Sequence, residues 1–155
     1  MDWILVLRWL HVIGATLILG TGAGIAFFML MAHRTGNAAL IAHTANVVVL
    51  ADYLFTLTAA IAQPITGGLL AYLIGWSLTE PWLIASLALY VFAGLFWIPV
   101  ILMQRRMRSL ASAAAAEGAP LPPEYYNLYR LWFAFGFPAF FAVLAIIWLM
   151  LAKPG

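Results

Sequence analysis

Four polar side chains interrupt stretches of this sequence that are otherwise soluble in lipid. Arg8 and His11 lie in the apolar run from Trp3 to Met31, and Asp52 and Gln63 in a second run from about Ala42 to Ile74. Such groups are rare at membrane depth because hydrocarbon cannot solvate them, which makes each a functional candidate by default. An imidazole in that setting can ligate a metal or pass a proton, a carboxylate can take the proton or offset a buried cation, and an amide can orient either. Arg8 and His11 are three positions apart, so on a helix they share a face. At about 1.5 Å per residue His11 lies about 12 Å below its boundary. Asp52, counted from the opposite side, reaches a similar depth, with Gln63 about three turns nearer the His11 side. The expectation is one buried network joining Arg8, His11, Asp52 and Gln63. The alternative is that Arg8 reaches to the headgroups, His11 bonds a neighbouring helix, and Asp52 is protonated or capped by Thr56.

The elements that must position these groups are helices. Hydrophobic residues make up 66% of 155 positions and charged residues 8%, with a mean hydropathy of +1.05. No water-soluble domain with a polar surface has that balance. The apolar runs are continuous and long enough for helices of about 20 residues, not the short alternating strands of a transmembrane barrel. The fold class is therefore all-α integral membrane: a single domain over residues 1–155, a bundle of four transmembrane helices spanning about 3–31, 42–74, 82–104 and 127–152. The second run is longer than a perpendicular span requires, which predicts a tilt, a kink near Pro64, or a start in the interface. Beyond Gln104 the chain continues through Arg105, Arg106 and Arg108 into an Ala-rich stretch with no breaker before Gly118, so the third helix extends into water. Pro120, Pro122 and Pro123 make a rigid connection to the fourth.

Arginines set the orientation. Arg34 lies in the first loop and Arg105, Arg106, Arg108 and Arg130 flank the third, whereas the second loop holds Glu80 and no basic residue. The positive-inside bias puts loops one and three in the cytoplasm and both termini outside. The formal net charge of +2 thus reflects topology, and no nucleic-acid partner is expected. The start, Met-Asp-Trp, lacks the basic region of a signal peptide, and the first run reads as a retained span.

Other residues carry weaker signals. With no cysteine there is no disulfide, thiolate metal site or iron–sulfur ligation. Gly20 and Gly24 form a small-xxx-small pair that suits close helix packing. His33 and His43 flank the first turn and read as solvated loop histidines, with a metal or haem clasp as the alternative. The six methionines are scattered and read as packing. Pro99 and Pro138 free carbonyls within apolar helices and either shape a cavity or serve packing. Tyr90, Phe92, Phe96, Trp97, Trp132, Phe133, Phe135 and Phe137 suit the walls of a pocket for a flat hydrophobic ligand such as a porphyrin or quinone.

Several of these residues carry a resemblance. The pattern Trp9-Leu10-His11-Val12-Ile13-Gly14-Ala15-Thr16, then Gly20-Thr21-Gly22, Met29 to Arg34, Leu50-Ala51-Asp52, Gln63-Pro64-Ile65-Thr66-Gly67 and Thr79-Glu80-Pro81-Trp82 resembles the bacterial integral-membrane family DUF2269, a domain of unknown function. That resemblance covers nearly the whole chain. A second, confined to the first span, rests on Arg8-Trp9-Leu10-His11 before a Gly-containing helix. It is similar to the first helix of HemJ-type protoporphyrinogen oxidases, CopD-like copper-resistance proteins and the membrane domain of certain urate oxidases. In those groups the early histidine is associated with a b-type haem. Carried over residue by residue, the similarity implies His11 as an axial ligand of haem b, with Arg8 available to a propionate. The third span here has no Lys or His, so the similarity does not extend to the rest of the HemJ pattern.

The expected function is that of a small bacterial inner-membrane protein binding haem b through His11, with a redox or electron-transfer role. Two alternatives stand beside it: an accessory subunit, homo-oligomeric or part of a larger membrane complex, and a small transporter or proton-conducting element using His11 and Asp52.

Overall fold

A computed structural model describes residues 2–155 of the chain. Its helices are α1 (Trp3–Arg34), α2 (Ala38–Ala51), α3 (Thr58–Ile74), α4 (Pro81–Glu117) and α5 (Pro123–Ala152), and a π-helical segment, Asp52–Leu57, joins α2 to α3. The α2–π–α3 rod is continuous, so four rods are long and apolar enough to cross a membrane. The protein is an all-helical, multi-pass integral membrane protein, and no strand occurs among the described residues.

Local chemistry sets the helix ends. The Asp2 carboxylate accepts from the backbone N–H groups of Ile4 and Leu5, and the Asn37 side chain accepts from those of Ala39 and Leu40, satisfying donors that a first helical turn leaves free. Pro81 and Pro123 open α4 and α5, where a missing N–H costs nothing. Gly75 and Gly118 end α3 and α4 with φ of 83° and 62°, a left-handed geometry that glycine adopts without strain.

α4 and α5 pack along each other most extensively, α2 lies on α4, and α3 follows α1 without packing closely along α4 or α5. The two ends of the bundle therefore differ. At the arginine-rich end, which the positive-inside bias assigns to the cytoplasm, Met29, Ile41, Ala45, Met107 and Tyr125 form a fully enclosed core. Lipid tails are as apolar as leucine, so this core is held by close packing and polar contacts more than by exclusion of water. The extension of α4 belongs to it: Met107, Ala111 and Ala114 pack within this cluster. Arg106 and Glu124 clamp α4 to α5 through two bonds of 2.8 and 2.9 Å. At the opposite end a small cluster of Ala71, Trp82 and Leu83, backed by Trp76 and Met150, ties α3 to α4 and α5. Between the two clusters the helix pairs part.

The π-helical segment is a feature the apolar pattern does not announce. Pro64 lies within α3, where its missing N–H leaves the Ala60 carbonyl without an intrahelical donor. The Tyr90 hydroxyl from α4 donates to that carbonyl, so the break in the helix becomes a side-chain tie across the gap.

Candidate functional site

The parting of the helix pairs makes a cavity of about 600 Å³, within the range of small-molecule and cofactor sites. Its walls come from all four rods. Glycine shapes much of it: Gly22 of α1, Gly68 of α3, Gly94 of α4 and Gly136 of α5 all line the space, and a Cβ added at any of them would meet no neighbouring atom within 4 Å. Glycine inside a helix is about 0.5–1 kcal/mol less favourable than alanine. None of these four is required by a close approach of helices, and together they keep the cavity open.

His11 lines the end of the cavity away from the arginines. The Cε1 edge of its ring points at Gly67, where an added Cβ would sit 3.0 Å from His11 Cε1. His11 Nδ1 is 2.8 Å from Thr66 Oγ1. That hydroxyl is 2.9 Å from the Ala62 carbonyl, to which it donates. In the tautomer that leaves this proton on the carbonyl, Thr66 accepts from Nδ1–H. The neutral ring then carries its lone pair on Nε2, the arrangement of a metal-ligating histidine whose other nitrogen donates to a partner that fixes the tautomer. Gln63 completes the support: its Nε2 donates to the His11 backbone carbonyl at 2.8 Å. A Cβ at Gly14 would overlap that amide, so glycine is required there for α1 and α3 to come this close.

Asp52 and Thr56, both buried, face inward from the π-helical segment. Asp52 Oδ2 accepts from Gln104 Nε2 at 2.7 Å, and Trp132 Nε1 donates to Gln104 Oε1 at 3.0 Å. The indole fixes which end of the amide faces the carboxyl group, so the three side chains form one directed chain from α5 through α4 to the π segment. Thr56 Oγ1 and Trp97 stand beside the same carboxyl group as further neutral donors, Thr56 without a hydrogen bond of full geometry.

The structure thus brings together two of the four polar residues singled out in the sequence and separates the others. His11 and Gln63 are in contact. Asp52 pairs with Gln104, about 16 Å from Gln63 along the rod at about 1.5 Å per residue, and the expected four-residue network does not form. Antiparallel pairing is the reason: α1 runs against α3, so His11 meets Gln63, Thr66 and Gly67. Arg8 is exposed, and its guanidinium makes no hydrogen bond or ion pair among the described residues; Arg106–Glu124 is the ion pair found there. Gly20 and Gly24 receive no neighbouring helix within the chain; Gly14 and Gly67 make the close approach instead.

Three functional features were not visible to sequence reasoning. Gln104, at the end of the third apolar run beside the arginines, looks like an interfacial residue and is fully enclosed. The glycine walls give no polar signal at all, whereas Thr56, read as a cap for Asp52, does lie beside it. His33, read as solvated, is half-buried, 3.1 Å from the Tyr125 hydroxyl and stacked on Tyr129 with ring centroids 3.6 Å apart; His43 is exposed, as expected of a loop histidine. The spacing of Tyr125, Tyr126 and Tyr129 on one helical stripe was the available signal for the His33 cage. Beyond the apolar runs, the Arg106 guanidinium holds the Glu124 carboxyl below the usual glutamate range through its hydrogen bonds.

No curated protein matches this chain, and no solved structure matches it. A family model described as a predicted integral membrane protein matches residues 5–154, from the first helix through the last, so the His11 site, the Asp52 chain and the cavity between them all fall within it. The chain belongs to the DUF2269 family of integral membrane proteins.

Proposed function

We propose that this protein is a bacterial inner-membrane redox protein that holds haem b in the cavity between its two helix pairs, with His11 Nε2 as an axial ligand. One observation carries the reading: His11 lines a cavity of cofactor size with Nδ1 2.8 Å from Thr66 Oγ1, whose proton has the Ala62 carbonyl to go to, an arrangement that supports the tautomer with Nε2 unprotonated. The other residues suit the same occupant. Gly67, Gly68, Gly94 and Gly136 provide wall without side chains, and Trp97, Phe133, Phe137 and Phe140 provide aromatic faces. Arg8, one turn from His11 on α1, is exposed and is not among the residues lining the cavity, so the propionate role that the resemblance implies for it finds no support in the geometry. When bound, the haem supplies one-electron chemistry; the chain supplies the imidazole, its orientation and a low-dielectric surround that sets the potential.

The visible spectrum of detergent-purified protein tests this reading. We expect a Soret band with sharp α and β bands on reduction, lost in His11→Ala and shifted in Thr66→Val, which removes the partner of Nδ1. A colourless, folded preparation that stays colourless after haem is added would refute it.

A further inference from the structure

The chain from Trp132 through Gln104 to Asp52 has no part in holding His11, and its chemistry points to a different occupant. Asp52 is 4% exposed, Gln104 0% and Thr56 6%. Asp52 faces neutral donors alone, Gln104 Nε2 at 2.7 Å with Thr56 and Trp97 beside it, and no Lys, Arg or His forms an ion pair with Asp52 among the described residues. Beside it the Thr56 hydroxyl is buried, close to Asp52 but in no hydrogen bond of full geometry, and both residues line the cavity. Orphaned polar atoms of this kind are exceptional in folded proteins and call for a partner. A carboxylate facing hydrocarbon with only neutral donors needs a counter-charge, and it has two ways to obtain one: a proton or a cation.

The surroundings identify the kind of cation. The described residues contain no cluster of three groups able to hold a metal ion, and a hard divalent ion needs about six oxygen ligands. The rest of the cavity is apolar and aromatic, with Trp97, Trp132 and Phe133 among the residues lining it with Asp52. Aromatic faces attract organic cations and tolerate an apolar body beside the charge. We propose that Asp52 and Thr56 form an intramembrane site for a lipophilic organic cation, a protonated amine or an onium ion, and that a proton occupies Asp52 when the cation leaves. The exchange is balanced: the protonated carboxyl plus the cation gives the carboxylate–cation pair plus one released proton. No other charged group intervenes. Of the titratable residues around it, His11 and Tyr90 line the cavity, with Tyr90 bonded to the Ala60 carbonyl. Tyr129 lies in the enclosed core, and Tyr53, Arg105 and Arg130 are exposed. The site is about 16 Å along the rod from the His11 support at about 1.5 Å per residue; it shares the cavity and its aromatic walls with the proposed haem, so the cation is the occupant of the haem-free protein, and binding is measured on that form.

Tetraphenylphosphonium binding to detergent-purified protein, measured by calorimetry in buffers of different ionisation heat, tests the proposal. We expect saturable binding of one cation per chain, release of one proton, and affinity rising about tenfold per pH unit over the range in which Asp52 titrates. Asp52→Asn keeps an acceptor for Gln104 Nε2 and should weaken binding at least about tenfold while preserving the thermal midpoint. Equal affinity for Asp52→Asn and the wild type would overturn the proposal. So would equal binding of uncharged tetraphenylmethane, or affinity independent of pH, either of which marks simple partitioning into an apolar space.

Discussion

Replacing the wall glycines with alanine separates a cavity kept open from a cavity that is merely a packing fault. At Gly94 and Gly136 an added Cβ meets no neighbouring atom within 4 Å. The substitutions Gly94→Ala and Gly136→Ala therefore introduce no clash and remove the helix penalty of glycine, about 0.5–1 kcal/mol each. For a chain of this size 1 kcal/mol corresponds to about 2–4 °C, so each variant should raise the thermal midpoint by about 1–4 °C. Gly14→Ala has the opposite sign. Its Cβ overlaps the Gln63 amide, so the substitution gains the same helix term but loses the bond to the His11 carbonyl, about 0.5–1.5 kcal/mol. It also overpacks the α1–α3 contact by about 1–3 kcal/mol. The net loss is about 0.5–4 kcal/mol, a fall of about 1–16 °C. The assay is the unfolding midpoint in one detergent at one scan rate, followed by tryptophan fluorescence. If Gly94→Ala and Gly136→Ala lower the midpoint as Gly14→Ala does, the walls are packed surfaces and the argument from an open cavity fails. Stabilisation combined with weaker ligand binding would instead show that these positions trade stability for function.

Two further outcomes follow from single contacts. Tyr90→Phe leaves the Ala60 carbonyl, already deprived of a donor by Pro64, with no partner; a buried acceptor in that state costs about 1–3 kcal/mol, and amide exchange around Ala60 should quicken relative to the arginine-rich end of the bundle. The Arg106–Glu124 pair depresses the Glu124 carboxyl, so its contribution is present above the ordinary glutamate pKa and is lost as pH falls through the lowered folded value. The difference in midpoint between wild type and Glu124→Gln should be small near pH 7 and vanish under acid conditions; a difference that persists there would mean the pair is not its source.

The four rods were legible because lipid demands long apolar runs, and the stop at Gly118 was legible because an Ala-rich helix continues until a left-handed residue ends it. Which way each rod faces was not. A helix apolar on all sides gives no periodic stripe to set its rotation, so nothing in the pattern said that Gln104 points inward while Arg8 points outward. The pairing of Asp52 with Gln104 depends on two residues far apart in sequence and on the extra residue of a π turn, a backbone register that side-chain type does not encode. His11 was visible as an ionisable residue out of place. Its partner was not, because Thr66 reaches it only after α3 folds back along α1. The glycines were misassigned for a related reason: sequence distinguishes small from large, and only the fold distinguishes a glycine that admits a helix, as Gly14 does, from one that faces an empty space, as Gly136 does.

The account depends most on His11 Nε2 facing a cavity that a haem can enter, and haem b titrated into the apo-protein in detergent measures this directly. The Soret change should saturate at one haem per chain for the wild type, disappear in His11→Ala, and weaken at least about tenfold in Gly136→Leu, which fills the cavity without touching the ligand. Saturable binding retained in His11→Ala, or none in the wild type, would contradict the account.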